Sequence, residues 1–434
     1  MKHFFTLLLL TGFSFAGVCQ TLYFPPLTGS TWETTDPATL GWCPEKIGVL
    51  LDYLGQNDTK AFIVLKNGKI VIEKYYGAFT RDSVWYWASA GKTITSMLVG
   101  IARENGQLDI NRPSSDYMGT GWTSLPPQQE AQITVRHQLT MTTGLDDGVP
   151  DMDCTLPGCL TYKAAPGTRW AYHNAPYTLL DSVIRSATGL SLNAYTTQKI
   201  KSKTGMTGLW IKSGYNNVYV STARSMARYG LLVLNRGVWD TQAVLGDTAY
   251  FGQMTRTSQN INLSYGYLWW LAGKSSFMLP QSQFVFNGSA VPNAPDDMVA
   301  ALGKNGQIIN VVPSRGLVLV RMGNAPGSGS SLVSNVFDNE IWAKMNDLSC
   351  TSAVPEYGTQ TTVKVFPNPV RDVLYLSADN QAVYDRITVY DHTGREINTG
   401  SHQNTLDASA LPAGLYFLRM ETQGKVFGSS FVKQ

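Results

Sequence analysis

Helical spacing and strand alternation divide the chain into readable segments before any chemistry is considered. "CPEKIGVLLDYLGQN", residues 43–57, spaces its apolar positions as a helix does and runs into a turn. "TKAFIVLKNGKIVIEKYYG", residues 59–77, predicts a hairpin: two apolar strands around Asn67-Gly68, the preferred two-residue turn. From there to about residue 240, helical patterns mix with loops rich in Pro, Gly, Thr and Asp. Strand patterns return in "SYGYLWWLAG" (264–273), "QFVFNG" (283–288), "MVAALGKNGQIINVVP" (298–313) and "GLVLVRMGN" (316–324). The last two predict a second hairpin turning at Pro313-Ser314-Arg315-Gly316. "SLVSNVFDNEIWAKMND" then predicts a closing helix. Strands at both ends of a helical middle predict an α+β domain whose sheet gathers distant segments. Residues 351–362, "TSAVPEYGTQTT", read as a polar linker. Beyond them "VLYLS", "RITVYD", "LYFLRMET" and "KVFGSSFVKQ", separated by turn signals, predict a small all-β sandwich over residues 363–434.

The amino end follows a different pattern. Lys2 precedes an apolar stretch from Phe4 to Phe15, with small residues Ser14, Ala16 and Gly17 near its end, so residues 1–19 read as a signal peptide. Cys19 follows Val18, which is larger than lipid-anchored cysteine sites usually accept. No later apolar run is long enough to cross a bilayer. Composition adds mainly exclusions. In 434 residues, 34 basic side chains balance 31 acidic ones, for a net charge of +3, and no basic run occurs; nucleic acid and anionic membranes are poor partners for such a chain. The five histidines are scattered, with no H-E-x-x-H and no paired C-x-x-C, so no metal site is expected. Outside the signal region stand Cys43, Cys154, Cys159 and Cys350, an even number in an oxidising compartment. Cys154 and Cys159 flank "TLPG", which favours a short-loop disulfide and leaves Cys43 to pair with Cys350. Four free buried thiols are the alternative reading.

Chemistry enters at Ser89-Ala90-Gly91-Lys92. After it Ile94, Met97, Leu98 and Ile101 predict an amphipathic helix with one buried stripe, stopped at Asn105-Gly106. Ser89 then sits at the helix N-terminus, where backbone N–H groups favour developing negative charge. Lys92 follows one turn later on the same face, within reach of the hydroxyl. A second S-x-x-K, Ser430 to Lys433, falls in a predicted strand, where i and i+3 point to opposite faces. A serine hydroxyl needs a base, and a lysine serves only when its pKa is lowered. Further polar elements are Tyr172-His173-Asn174, Tyr215-Asn216-Asn217, Lys203-Thr204-Gly205 and Lys304-Asn305-Gly306. Serine acyl-enzymes of the S-x-x-K type carry a K-T-G element on a strand.

Together with "ITVRHQLTMTTGL", "PGTRWAYHN", "STARSMARYGLLVLNRGVWD", "YGYLWW" and "VVPSRGLVLVRMG", these residues resemble the serine β-lactamase-like superfamily. The likeness is closest to class C β-lactamases and their esterase and peptidase relatives, from about residue 45 to 345. It implies a hydrolase domain over residues 30–350, an antiparallel sheet flanked by helices plus a helical subdomain. It implies Ser89 as nucleophile, Lys92 and Tyr172 as the acid/base pair, and Asn174 holding the substrate. It places the third element at Lys304, Asn305 and Gly306 on a strand, with the Ser89 and Gln307 N–H groups as oxyanion hole. Cations at Lys92 and Lys304 would favour a Tyr172 phenolate. His173 is expected to face away, and Trp85, Tyr86, Trp87, Trp269 and Trp270 to form core and pocket wall. The implied activity is hydrolysis of a small-molecule or peptide-like ester or amide, without metal or organic cofactor. Asn305 replaces the hydroxyl residue common in β-lactamases and cell-wall peptidases, so a β-lactamase or D-amino-acid peptidase is the narrower alternative, and a non-catalytic penicillin-binding-like protein a second. "VFPNPVRDVLYLS", with Pro367-Asn368-Pro369, and Gly414-Leu415-Tyr416 resemble the C-terminal sorting domain of type IX secretion, which implies that machinery as partner and an exported or surface location.

Overall fold

The computed structural model describes residues 22–327, 333–350, 363–377, 384–391, 395–400, 404–422 and 425–434. The expected signal peptide and linker lie outside them. The chain falls into two compact units, divided between Cys350 and Thr351. Along the first run helix α1 (Pro44–Gln56), strands β1 (Thr59–Lys66), β2 (Lys69–Tyr75) and β3 (Val84–Tyr86), and helices α2 (Lys92–Glu104), α3 (Asn174–Thr178) and α4 (Leu180–Thr188). Strands β4 (Leu209–Ser213) and β5 (Asn216–Thr222), helix α5 (Ala223–Leu234), strands β6 (Trp270–Leu271), β7 (Val299–Gly303), β8 (Gln307–Val312) and β9 (Leu317–Gly323), and helix α6 (Asn335–Asn346) follow.

The main sheet has the order β2-β1-β9-β8-β7-β6, with every pair antiparallel. Both expected hairpins form. Asn67 and Gly68 take φ of 48° and 85°, the doubly positive turn that matches strand twist. Pro313–Arg315 make a short 3-10 turn closed by Gly316. Helices cover both faces of this sheet. Gly230 of α5 sits against Val318 and Ile309, whereas Arg321 and Asn310 meet Phe337 and Asp338 of α6. Strand alternation sends 318 and 321, and likewise 309 and 310, to opposite faces. Buried on both sides, β8 and β9 read as nearly continuous apolar runs and are buried throughout.

Three expectations need correction. Helix α2 buries every residue from Lys92 to Ala102, not one stripe. Its second face is small and polar, and neighbours take it up: Tyr250 donates to the Ser96 carbonyl at 2.8 Å, and Gly100 lies under the Tyr250 ring. The 264–273 and 283–288 patterns yield only β6 and a two-residue ribbon at Phe286–Asn287. Of their aromatic residues, Tyr265 and Trp269 fill the core from loop positions and Trp270 from β6. Lys304–Gly306 is not on a strand; it is a 3-10 turn between β7 and β8, with Asn305 in the left-handed region at φ 64°.

Cys43 pairs with Cys350, Cα atoms 4.9 Å apart, and Cys154 with Cys159 at 5.9 Å. The second unit is all β, with antiparallel sheets of three and four strands. Its core gathers Val370, Leu374, Leu376, Ile387, Val389, Leu418, Met420 and Phe431. Over Val373–Ser377 buried and exposed residues alternate, the pattern of a strand with one solvated face.

Candidate active site

Ser89 stands where strand β3 ends and α2 begins. β3 pairs with β5, and the Trp87 N–H donates to the Tyr219 carbonyl at 2.8 Å. The fully buried Trp87 ring packs against Tyr219 and Tyr229. Anchored there, the chain turns through a 3-10 segment, Ala88–Gly91, that leads into α2. Ala88 takes φ 47°, a left-handed conformation that costs a side-chain-bearing residue about 1 kcal/mol or more. Strand β7 closes on this turn through Gly303: a Cβ there would collide with the Trp87 carbonyl and crowd the Ala90 N–H. A glycine is what lets the sheet edge touch the serine turn.

Lys92 Nζ donates to Ser89 Oγ at 2.9 Å. The amine is enclosed, with the residue 4% exposed, and lies 4.3 Å from the ring centre of Tyr177 and 5.2 Å from that of Tyr172. Burial pushes its pKa down to about 7, against the pull of Asp153 upward. Tyr172 is carried on an extended segment behind Pro166-Gly167, fixed by Ala171 N–H to the Met141 carbonyl at 2.9 Å. It stacks on Trp270, ring centres 5.8 Å apart. Burial raises its phenol well above the ordinary value, and a hydrogen bond with Ser89 opposes this only in part. The expected Tyr172 phenolate is therefore overturned: the ring sits in an apolar wall, and the group brought toward neutrality is Lys92.

His173 does not line the cleft and is buried, its pKa pushed down to about 4 by burial. Asn174 begins α3 and donates to Asp153 Oδ1 at 2.7 Å, leaving its own Oδ1 buried without a protein partner. A cleft of about 240 Å³ joins these groups; Ser89, Lys92, Tyr172, Asn174 and Lys304 all line it. Asn305, Gly306 and Gln307 do not. Asn305 donates to Tyr86 OH at 2.8 Å, and the Gly306 N–H is taken by Ser334 Oγ at 2.9 Å. Gln307 is fully buried and paired with Gly303, its side chain donating to the Gly323 carbonyl at 2.6 Å. Arg321 beneath them donates to the Asn305 and Gly306 carbonyls, so these residues shape the turn from behind. The expected substrate contacts at 305–307 are corrected accordingly, because the turn presents only Lys304 to the cleft.

The cleft also holds Asp153, Tyr177, Asn216 and Asn217. Asn216 and Asn217 were visible as part of a polar Tyr-Asn-Asn element. Asp153 carried no local signal beyond its place beside Cys154. The literal Lys203-Thr204-Gly205 lies elsewhere: Thr204 is buried and caps its own helix turn, and Lys203 Nζ donates to the Ala243 carbonyl.

Comparison with known proteins bears on this arrangement. The Beta-lactamase family profile matches residues 55–338, and that of the secretion system C-terminal sorting domain matches residues 364–434. An uncharacterized protein of Alkalihalophilus pseudofirmus is 24% identical over 303 residues, covering 61% of this chain and 83% of its own. A family VIII carboxylesterase superposes with a TM-score of 0.53 at 14% identity, covering 71% of this chain and 99% of its own. An octameric penicillin-binding protein homologue from Pyrococcus abyssi gives 0.51 at 14% identity, over 90% of this chain and 96% of its own. Such distant structures speak for the fold alone. The sorting domain marks the chain for type IX secretion or the cell surface. With its profile spanning most of the first unit, the chain belongs to the beta-lactamase family of serine hydrolase folds.

Proposed function

We propose that the protein is a secreted serine hydrolase that opens an ester or amide bond through an acyl-enzyme on Ser89. The observation that carries this reading is the 2.9 Å contact between Ser89 Oγ and an enclosed Lys92 amine whose pKa lies near 7. In its neutral form Lys92 accepts the serine proton as Oγ attacks the carbonyl carbon. The carbonyl double bond opens to an oxyanion. When it re-forms, the bond to the leaving oxygen or nitrogen breaks, and that atom takes a proton from the Tyr172 phenol. The Lys92 ammonium then passes its proton to the Tyr172 phenolate, which restores a neutral amine and a phenol beside the acylated serine. Water then repeats the sequence on the acyl-enzyme, releasing acid and restoring Ser89.

The oxyanion donors in this reading are the backbone N–H groups of Ser89 and Lys304, not Gln307. Ala272 N–H donates to the Met298 carbonyl at 3.0 Å, which turns the even-numbered peptide groups of β7 away from β8. Carried along the strand, that alternation aims the Lys304 N–H at the open edge beside Ser89. Each such donor contributes roughly a hundredfold or more.

A fluorophosphonate probe followed by intact-mass analysis tests the nucleophile. Wild type should gain one adduct, located at Ser89, and Ser89→Ala should gain none and lose p-nitrophenyl ester turnover. Labelling elsewhere, or full activity in Ser89→Ala, overturns the mechanism. Nitrocefin turnover in the same assay distinguishes a β-lactamase from an esterase or amidase.

A further inference from the structure

The cleft holds a carboxylate that proton transfer at Ser89 does not use. Asp153 Oδ1 accepts from Asn174 Nδ2 at 2.7 Å, and among the described residues no protein group hydrogen-bonds or ion-pairs with its Oδ2. Its position is held on several sides. The Asp153 N–H donates to Asp151 Oδ1 at 3.0 Å, the Ala175 N–H to the Met152 carbonyl at 3.2 Å, and the next residue, Cys154, is bridged to Cys159. It forms no salt bridge among the described residues, and its charge reaches Lys92 only at longer range, as the upward pull on that amine. On the same loop Asp146 and Asp147 are already matched, by Lys163 at 3.5 Å and Arg169 at 2.7 Å, whereas among the described residues Asp151 and Asp153 have no basic side chain within salt-bridge distance. Of the two cleft lysines, Lys92 bonds to Ser89 and Lys304 belongs to the β7–β8 turn. Beside Asp153 the buried Asn174 Oδ1 is a further acceptor without a protein donor.

One wall of the cleft therefore carries a carboxylate whose second oxygen has no protein donor among the described residues, next to an asparagine whose own buried Oδ1 also has none. We propose that this wall binds a primary ammonium group on the acyl part of the substrate, so that Asp153 selects aminoacyl esters or amides. This rests on the Ser89 acyl-enzyme reading. Placing the ammonium on the acyl part keeps the ion pair intact through both acylation and deacylation, since that part stays attached to Ser89. The same carboxylate repels acyl groups that are anionic near the scissile bond.

Matched p-nitroanilides test the proposal: D- and L-alanyl, β-alanyl and 4-aminobutyryl compounds against isobutyryl and N-acetylated counterparts. The wild-type protein should favour at least one ammonium compound over its neutral counterpart by about tenfold or more in kcat/KM, with the ratio falling as salt is raised. Asp153→Asn should collapse that ratio toward one, and Asp153→Glu should retain most of it. No wild-type preference, a preference only for amines on the leaving group, or a ratio unmoved in Asp153→Asn each overturns the assignment. Binding of alaninamide to Ser89→Ala, measured by calorimetry, gives an independent readout if a residue 153 variant fails to fold, and absence of binding counts against the proposal. Failure of the acyl-enzyme reading shows separately, as turnover that survives in Ser89→Ala.

Discussion

At residue 92 the enclosure that makes an amine useful also makes it costly. Burial brings Lys92 from an ordinary pKa near 10.5 to about 7, so the neutral form becomes abundant at the pH of use. The kcat/KM of the wild type should rise with pH through an apparent pKa near 7, and Lys92→Arg, which cannot give up its proton, should lose a hundredfold or more. A profile flat between pH 5.5 and 8.5 counts against Lys92 as proton acceptor. Linkage fixes the sign for stability. Between pH 7 and 10.5 the folded protein binds fewer protons at this site than the unfolded chain, so stability from this group grows as pH rises and the cost is full below 7. Lys92→Met should therefore raise the melting temperature at pH 6 while abolishing turnover. Ser89, Lys92, Tyr172 and Asn174 could be read from sequence because short motifs put them at fixed spacing. The Tyr172 protonation state could not, since burial by Trp270 and Tyr265 comes from a segment far along the chain.

Helices and strands were legible to the extent that their own residues decide them. The 59–77 hairpin is local, and its Asn-Gly turn dictates the pairing. Helix α2 stands where its apolar spacing predicts, but it is buried on more than that stripe, because Thr93, Thr95 and Ser96 are polar by type yet covered by neighbouring elements. Another covered polar residue lies at the junction of α6 and β8. Asp338 is fully buried, accepts from Asn310 Nδ2 at 2.6 Å, and is pushed up to about 7 by burial. Its Oδ2 and the Asn310 Oδ1 both lack partners. From about pH 4 to 7 the folded protein binds more protons here than the unfolded chain, so stability from this group is present at low pH and lost as pH rises through 7. An amide at 338 has no charge to bury and offers a donor to Asn310 Oδ1. Asp338→Asn should stabilise the protein by about 2–4 kcal/mol at pH 8 and by much less at pH 5. Denaturant melts at the two pH values measure this; equal shifts, or a loss at pH 8, would show that the carboxylate is not held in a dry site.

Over the whole molecule, the two disulfides do different work because they close very different lengths of chain. Cys43–Cys350 spans 307 residues in sequence and ties the segment before α1 to the end of the first unit. Backbone bonds reinforce the junction: Cys43 N–H to the Leu348 carbonyl at 2.8 Å, and Cys350 N–H to the Gly41 carbonyl at 2.6 Å. Loop-closure entropy for so long a span is worth up to about 5 kcal/mol, and a bridge across five residues only about 2. Removing the long bridge, as Cys43→Ala/Cys350→Ala, should lower the melting temperature by roughly 10 °C. It should leave kcat/KM at 25 °C near the wild-type value, since neither cysteine lines the cleft. Removing the short bridge, as Cys154→Ala/Cys159→Ala, should change the melting temperature much less. It frees the loop that holds Asp153, however, so discrimination among substrates should weaken. Scanning calorimetry and matched-substrate kinetics on the two double variants separate these outcomes. If the short-bridge variant keeps full discrimination, Asp153 is held by Asn174 and the backbone alone, and the disulfide beside it serves stability only.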